Sequence, residues 1–227
     1  MNIWDKLNSF GRIPSIAKIG GFRPTEDMKS WFGGNFLTEL GEDWPKDDDG
    51  YMLPIIQIYV PDVPNGADFF GETQLIQVFL NNSSLPTKFE AKNGEGWLIK
   101  EYSSISELKV TKTPDEANAY KTFPIVWIQK ENPEFPCWEE SWEYLDMTEI
   151  NETDELTKKF FNDYGSSEKT KIGGYGAYIQ STPSNEYEYI FQISSEEKPK
   201  FMVADNGSLY ILKSKKTKDW HLHWDCF

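Results

Sequence analysis

Reactive side chains are scarce in this 227-residue chain, which has two cysteines, Cys137 and Cys226, and two histidines, His221 and His223. A Cys–His nucleophilic pair needs a thiol beside an imidazole, yet strand alternation puts Cys226 on the opposite face from His223. The chain also lacks a Gly-x-Ser-x-Gly elbow and a phosphate-binding glycine loop. The sequence therefore offers no catalytic residues. It leaves enzymatic activity open but favours its absence.

Long apolar runs are missing as well. No stretch approaches the roughly 20 apolar residues of a membrane-spanning helix. Residues 1–10 include Asp5, Lys6 and Asn8 where a signal peptide would have an apolar core. These absences predict a cytoplasmic protein that makes no contact with a membrane, and in that compartment both thiols are expected to be reduced.

Positive charge is in short supply. There are 23 Lys and Arg residues against 37 Asp and Glu residues, which gives a formal net charge of −14. A surface this acidic repels nucleic acid and anionic lipid, so we expect no binding to either. The charge suits a basic protein partner, or it serves only to keep the protein soluble.

The chain does contain a unit that occurs twice, in which a glycine pair is followed by two apolar strands. In each copy a glutamine, Gln57 or Gln192, stands between two apolar residues and points to the opposite face of its strand. Each copy has too few strands to close a core alone, so we expect the two to pack together. The copies comprise Gly33-Gly34 with residues 56–58 and 75–80, and Gly173-Gly174 with residues 191–193 and 208–212.

This duplication and the 15% aromatic content predict one α+β domain over residues 1–227, mostly β, with a few helices. The pseudo-repeats are predicted at about residues 13–130 and 165–227. One helix is expected over residues 2–10, capped by Asn2. Another is expected over residues 154–164, where an apolar stripe should pack across the sheet.

Several short motifs lie around the two glycine pairs and at the end of the chain. They are residues 19–24 (IGGFRP), 30–34 (SWFGG), 41–45 (GEDWP), 52–58 (MLPIIQI), 171–175 (KIGGY), Gln180, 191–193 (FQI) and 224–227 (WDCF). As a set they resemble the YwqG-like family of uncharacterised bacterial proteins, from about residue 13 to the end. The resemblance implies a mixed, mostly β fold with an internal duplication. It implies no established activity and therefore no catalytic residues.

One feature of that resemblance is incomplete. Many of the similar proteins have a Trp-Gly-Asp sequence ahead of the last strands. The corresponding residues 203–207 of this chain keep only Asp205 and the turn glycine Gly207. This departure argues against carrying over to this chain any role proposed for that tryptophan.

A candidate metal site lies in the last strand, where His221, His223 and Asp225 share one face. The alternative is an ordinary strand with its aromatic side inward and its imidazoles toward water. Because no other Cys/His cluster supports the trio, the sequence favours the alternative and predicts no metal and no cofactor. Residues 47–50 (DDDG) lack the distant Glu of a calcium loop and are interpreted as a turn. The residues expected to point into the core are Trp220, Leu222, Trp224 and Cys226.

Residues 131–155 are the most distinctive surface candidate, with ten acidic residues, no Lys or Arg, and interleaved aromatic residues. Aromatic rings supply contact area, and carboxylates speed association with a basic partner. The alternative is a solvated connector whose aromatic residues fold back on the core. The residues predicted to bind a partner are Trp138, Glu139, Glu140, Trp142 and Glu143.

Together these patterns predict a non-enzymatic protein-binding module, such as an immunity-type neutraliser of a basic partner. The alternative function is a small-ligand-binding protein or metal-dependent enzyme that uses a groove between the two repeats. The sequence does not indicate an oligomeric state.

Overall fold

The structure is a computed structural model that describes residues 2–25, 29–86 and 91–227. Its strands in these ranges are β1 Ser15–Ile19, β2 Trp31–Phe32, β3 Phe36–Thr38, β4 Lys46–Asp47, β5 Gly50–Tyr51, β6 Leu53–Tyr59, β7 Leu75–Leu80, β8 Trp97–Tyr102, β9 Lys109–Thr111, β10 Phe123–Gln129, β11 Lys171–Ile172, β12 Tyr187–Ser194, β13 Ser208–Ser214 and β14 Trp220–Asp225. The helices are α1 Ile3–Ser9, α2 Gly66–Phe70, α3 Trp138–Tyr144, α4 Thr148–Asn151 and α5 Asp154–Asp163, with 3-10 turns at Val60–Asp62 and Asp115–Ala117.

Ten strands form one antiparallel sheet in the order β14-β13-β12-β11-β1-β10-β2-β6-β7-β8. The register places Lys18 of β1 opposite Val126 of β10 at the centre of this order. A half-turn about that point exchanges β1 with β10, β2 with β11, β6 with β12, β7 with β13, and β8 with β14. The predicted α+β fold, mostly β with an internal duplication, is confirmed. The repeat bounds of about 13–130 and 165–227 stay a prediction.

The two glutamines of the repeat make equivalent hydrogen bonds in the two halves. Gln57 accepts a hydrogen bond from the backbone N–H of Leu37 at 2.8 Å, and Gln192 accepts one from Ala177 at 3.1 Å. Each glutamine therefore ties a crossing segment to the outer face of its half-sheet. A β-bulge precedes Ile56 in one half and Phe191 in the other, so even the irregularity of pairing is repeated.

The inner face of the curved sheet encloses the main hydrophobic core. Residues such as Ile56, Ile58 and Val78 alternate onto this face, while Phe79 packs on the outer face under β3 and the β4–β5 hairpin. Because both faces are covered, β6 and β7 are almost continuously apolar rather than alternating.

The two edge strands of the sheet come together. Trp220 of β14 donates its indole N–H to a carboxylate oxygen of Glu101 in β8 at 2.8 Å. Lys213 of β13 lies 3.9 Å from the other oxygen of Glu101. The sheet therefore curls until its ends meet, which encloses the core on nearly all sides.

Four helices form a second, smaller cluster beside the sheet. Asn2 caps α1 as predicted by accepting the N–H of Asp5 at 2.8 Å, and Thr153 caps α5 by accepting the N–H of Leu156 at 3.3 Å. The expectation that α5 packs across the sheet is wrong, because Phe160 is buried among residues of α1, α3 and α4 instead. Within the described ranges, no helix is both long enough and apolar enough to cross a membrane.

Candidate functional site

The predicted partner-binding segment folds into α3. Its first turn contains Glu139 and Glu140, and acidic residues there are favoured by the helix dipole. Helical spacing puts Trp138 and Trp142 on one stripe and Glu139 and Glu143 on the next. We call the exposed part of these two stripes, together with Phe161 of α5, the α3–α5 surface.

The aromatic part of the α3–α5 surface rests on Trp138. This ring is half-buried, with its centroid 5.1 Å from that of the buried Phe160. It contacts Trp142 edge-on at 6.0 Å and Phe161 at 5.6 Å. Trp142 is 41% exposed and Phe161 is 61% exposed. Trp138 therefore holds two large rings in fixed positions at the surface.

The acidic part of the α3–α5 surface is formed by Glu139 and Glu143, which are both exposed. Further exposed carboxylates follow along the connector to α5 and add to the negative field. They are Asp146, Glu149, Glu152, Asp154 and Glu155. Aromatic rings beside carboxylates are the composition that the sequence predicted for this segment.

The structure places the fifth predicted residue, Glu140, away from this surface. Its side chain is half-buried and accepts the backbone N–H of Cys137 at 3.4 Å, which completes the helix cap. Burial raises the pKa of Glu140 to about 7, against the opposing pull of the Arg12 guanidinium. We therefore leave Glu140 out of the α3–α5 surface.

Replacing Glu140 by glutamine is expected to stabilise the protein at pH 8 by on the order of 1–3 kcal/mol. The pKa of Glu140 is higher in the folded than in the unfolded chain. Folding stability therefore falls as the pH rises from about 4.5 to 7, and glutamine removes that loss. Urea unfolding at pH 5 and pH 8 measures the effect, which should be much smaller at pH 5.

The exposed neighbour Glu139 is the matched control for this change. Glu139→Gln should alter the free energy of unfolding by less than about 0.5 kcal/mol at both pH values. An equal gain from both variants would mean that relief of general charge repulsion, and not the burial of Glu140, is responsible.

The last strand confirms part of its prediction and corrects the rest. Trp220 and Leu222 lie in the core, and Trp224 packs against it, but Cys226 lies beyond the strand and half-buried. His221 and His223 do share a face, yet the expectation that they face water is wrong because both are buried.

Two different contacts account for that burial. The ring of Tyr187 in β12 stacks on His221 at 4.2 Å, and the segment over residues 175–181 covers His223, whose ring lies 6.2 Å from that of Tyr178. Asp225 accepts the N–H groups of Ile179 and Gln180 at 2.9 and 3.1 Å, and the hydroxyl of Tyr210 at 2.8 Å. The segment is thus fixed over His223, and burial lowers the pKa of this histidine. In the part of the chain that the structure describes, no three His, Cys, Asp or Glu side chains are grouped to hold a metal.

The acidic run over residues 47–50 forms the turn between β4 and β5, as predicted. Its carboxylates have a structural partner. The side-chain amide of Asn81 donates to both Asp47 and Asp49 at 2.8 Å. These contacts fix the hairpin to the end of β7.

A buried ion pair was missed by the sequence interpretation. The side chains of Lys171 and Glu134 have no solvent exposure, and their charged atoms are 2.5 Å apart. Burial lowers the pKa of Lys171 to about 8, which the carboxylate of Glu134 opposes. Placing Glu134 on the acidic surface was therefore wrong. The sequence contains one indication of this burial. Lys171 stands two residues before Gly173-Gly174, at the position that the apolar Trp31 occupies before Gly33-Gly34.

Fold and surface together define a duplicated, mostly β domain with a helical side cluster and an exposed aromatic-acidic surface. A family profile described as a domain of unknown function, DUF1963, matches residues 30–226. The chain belongs to this family. A search of curated proteins found no match.

Proposed function

We propose that this protein is a non-enzymatic protein-binding module whose α3–α5 surface binds a basic protein partner. The observation that carries the proposal is the pair of exposed rings, Trp142 and Phe161, held in place by Trp138 beside two exposed carboxylates. Large exposed aromatic patches on a protein domain are typical of interaction sites.

The rings are suited to the tight contact. Tryptophan is enriched among the few residues that dominate binding energy, and such residues lie at well-packed centres of interfaces. Trp142 needs little ordering on binding because Trp138 already restrains its position.

The carboxylates are suited to the approach of the partner. An exposed charge pair contributes only about 0.2–1 kcal/mol. Glu139 and Glu143 therefore act mainly by raising the association rate, supported by the net charge of −14. A partner of opposite charge fits this field, and neutralisation of a basic toxin or nuclease is the role that we propose. We also propose that the chain is a YwqG-like protein, on the motifs quoted above.

Replacing Glu139 and Glu143 together by glutamine should slow association with a basic partner isolated on the wild-type protein. The salt dependence of the association rate should become flatter, while the dissociation rate stays nearly unchanged, because the carboxylates steer and do not anchor. Surface plasmon resonance at two salt concentrations measures both rates. The matched control is Glu107→Gln with Glu116→Gln, which removes the same charge from exposed positions elsewhere. Equal slowing in both double variants would contradict a role for this surface.

Replacing Trp142 by alanine should speed dissociation of the same partner by about 30-fold, which corresponds to a loss of about 2 kcal/mol. The control is Leu40→Ala, because Leu40 is 93% exposed and lies after β3, outside the α3–α5 surface. Unfolding curves establish that both variants keep the fold. An unchanged dissociation rate in a folded Trp142→Ala protein would overturn the proposal.

A further inference from the structure

A cavity of about 440 Å³ opens where the two halves of the sheet meet, away from the α3–α5 surface. Its volume is in the range of small-molecule sites in proteins. Residues of α2 from the first half and of β12 from the second contribute to it. The lining residues that matter are Arg12, Asp68, Phe69, Gly174, Glu188 and Tyr189.

The pseudo-twofold relation explains why this cavity exists. Ala17 and Ile125 donate equivalent N–H bonds, 2.9 and 3.0 Å long, to the residue that precedes β11 and to the one that precedes β2. Five residues before each of them stand Arg12 and Tyr120, which are therefore equivalent. The ring of Tyr120 packs edge-on against Phe201, at 5.3 Å, and joins the core. The second half has an arginine at this position, and the space remains open.

One wall of the cavity is fixed by backbone geometry. Gly173 and Gly174 have φ values of +72° and +70°, which side chains disfavour. A Cβ on Gly173 would lie 2.4 Å from the ring of Phe69, so this ring lies directly on the backbone. A Cβ on Gly174 would lie 2.4 Å from the carboxylate of Glu134. The wall is thus preorganised and not assembled by a ligand.

The charges around the cavity are not paired with one another. Arg12 lies over the ring of Tyr175 at 4.4 Å. The carboxylate of Glu140 acts on it only from beyond ion-pair distance, since within the described ranges no carboxylate lies within 4.0 Å of it. Asp68 and Glu188 are exposed carboxylates that line the same space. A ligand with an anionic and a cationic end can therefore complement both signs, while Phe69 and Tyr189 offer rings to an apolar group.

We propose that this cavity binds a zwitterionic small molecule, namely a free α-amino acid with an apolar side chain. Its carboxylate contacts Arg12, its ammonium group contacts Asp68 and Glu188, and its side chain packs on Phe69. The site is independent of the α3–α5 surface, so either can fail without the other.

Isothermal titration of the purified protein with L-phenylalanine, L-leucine and L-methionine tests the site. At least one should bind at concentrations up to about 10 mM, the weak end of ligand affinities. L-Phenylalaninamide and N-acetyl-L-phenylalanine each lack one charge and should bind at least about tenfold more weakly than L-phenylalanine. Absence of binding by all three amino acids would overturn the proposal, and so would equal binding of the derivatives.

Two variants assign the charges. Arg12→Gln should weaken the binding of L-phenylalanine by about tenfold or more. The affinity for the amide should stay unchanged, since the amide has no carboxylate to contact Arg12. Asp68→Asn should weaken L-phenylalanine and leave the N-acetyl derivative unchanged. A third variant, Arg12→Tyr, copies the Tyr120 side of the duplication and should fill the cavity and abolish binding. Wild-type affinity in a folded Arg12→Tyr protein would show that the amino acid binds elsewhere.

Discussion

Replacing Lys171 by methionine is expected to lower the free energy of unfolding by about 3–5 kcal/mol. The lysine has no solvent exposure and neutralises the equally buried carboxylate of Glu134. Methionine fills similar space but leaves that carboxylate without its closest cation. The remaining cation, Lys130, lies 3.3 Å from the carboxylate and is partly solvated, so it compensates only in part. Urea unfolding at pH 7 measures the loss.

The double variant Lys171→Met with Glu134→Gln should recover most of this stability. It removes both charges, and a glutamine oxygen can still accept the N–H of Ser167, which Glu134 accepts at 2.8 Å. Lys112→Met serves as the surface control, because Lys112 pairs with Asp115 in solvent and should cost less than about 1 kcal/mol. If the double variant lost as much stability as the two single variants together, the cost of Lys171→Met would come from packing and not from the unpaired charge.

Replacing Gly174 by alanine is expected to cost about 3 kcal/mol or more. Two effects add, because the residue has a φ of +70° and because the new methyl group would lie 2.4 Å from the Glu134 carboxylate. That carboxylate cannot move away without loosening its contact with Lys171. The melting temperature and the urea midpoint should both fall.

Gly41→Ala separates these two effects. Gly41 has a similar φ of +83°, but no atom lies within 4 Å of the position its Cβ would take. Its replacement should therefore cost only the backbone strain, about 1 kcal/mol. Equal costs at the two positions would show that the carboxylate yields freely and that the buried pair is not rigid.

The duplication could be predicted from sequence because its signals are local. A glycine pair at positive φ and a glutamine between apolar residues each constrain the chain within a few residues. The structure repeats these signals with matching hydrogen bonds at Gln57 and Gln192. The spacing of Trp138 and Trp142 was equally informative, since it puts both rings on one face of a helix.

The burial of His221 and His223 could not be predicted in the same way. Alternation along a strand shows which residues share a face, but it does not show what covers that face. His221 lies under the ring of Tyr187 in β12. The cover of His223 is a segment about 45 residues earlier in the chain, held by the carboxylate of Asp225 on Ile179 and Gln180. Coverage of this kind depends on tertiary contacts that no periodicity records.

Glu134 and Phe161 illustrate the same limit on the candidate sites. Glu134 stands in an acidic run that is typical of a solvated surface, and its ion-pair partner, Lys171, is 37 residues further along the chain. Phe161 belongs to the apolar stripe of α5 by spacing, yet the structure leaves it exposed beside Trp142. The sequence offered a groove between the two repeats as an alternative site but not the residues that line it, because the equivalence of Arg12 with Tyr120 emerges only from the pairing of β1 with β10.

The position of β1 has a consequence for how this chain is put together. β1 precedes the other strands of the sheet along the chain, yet its two neighbours, β10 and β11, are more than 100 residues downstream. It completes the half-sheet whose other strands come last. The two structural repeats therefore become two uninterrupted stretches of chain only in a circular permutant, one that joins Phe227 to Asn2 and opens between β10 and α3. In the order of this chain, the half-sheet of β11 to β14 takes its fifth strand, β1, from ahead of the other half, so neither half can be released by a single cut.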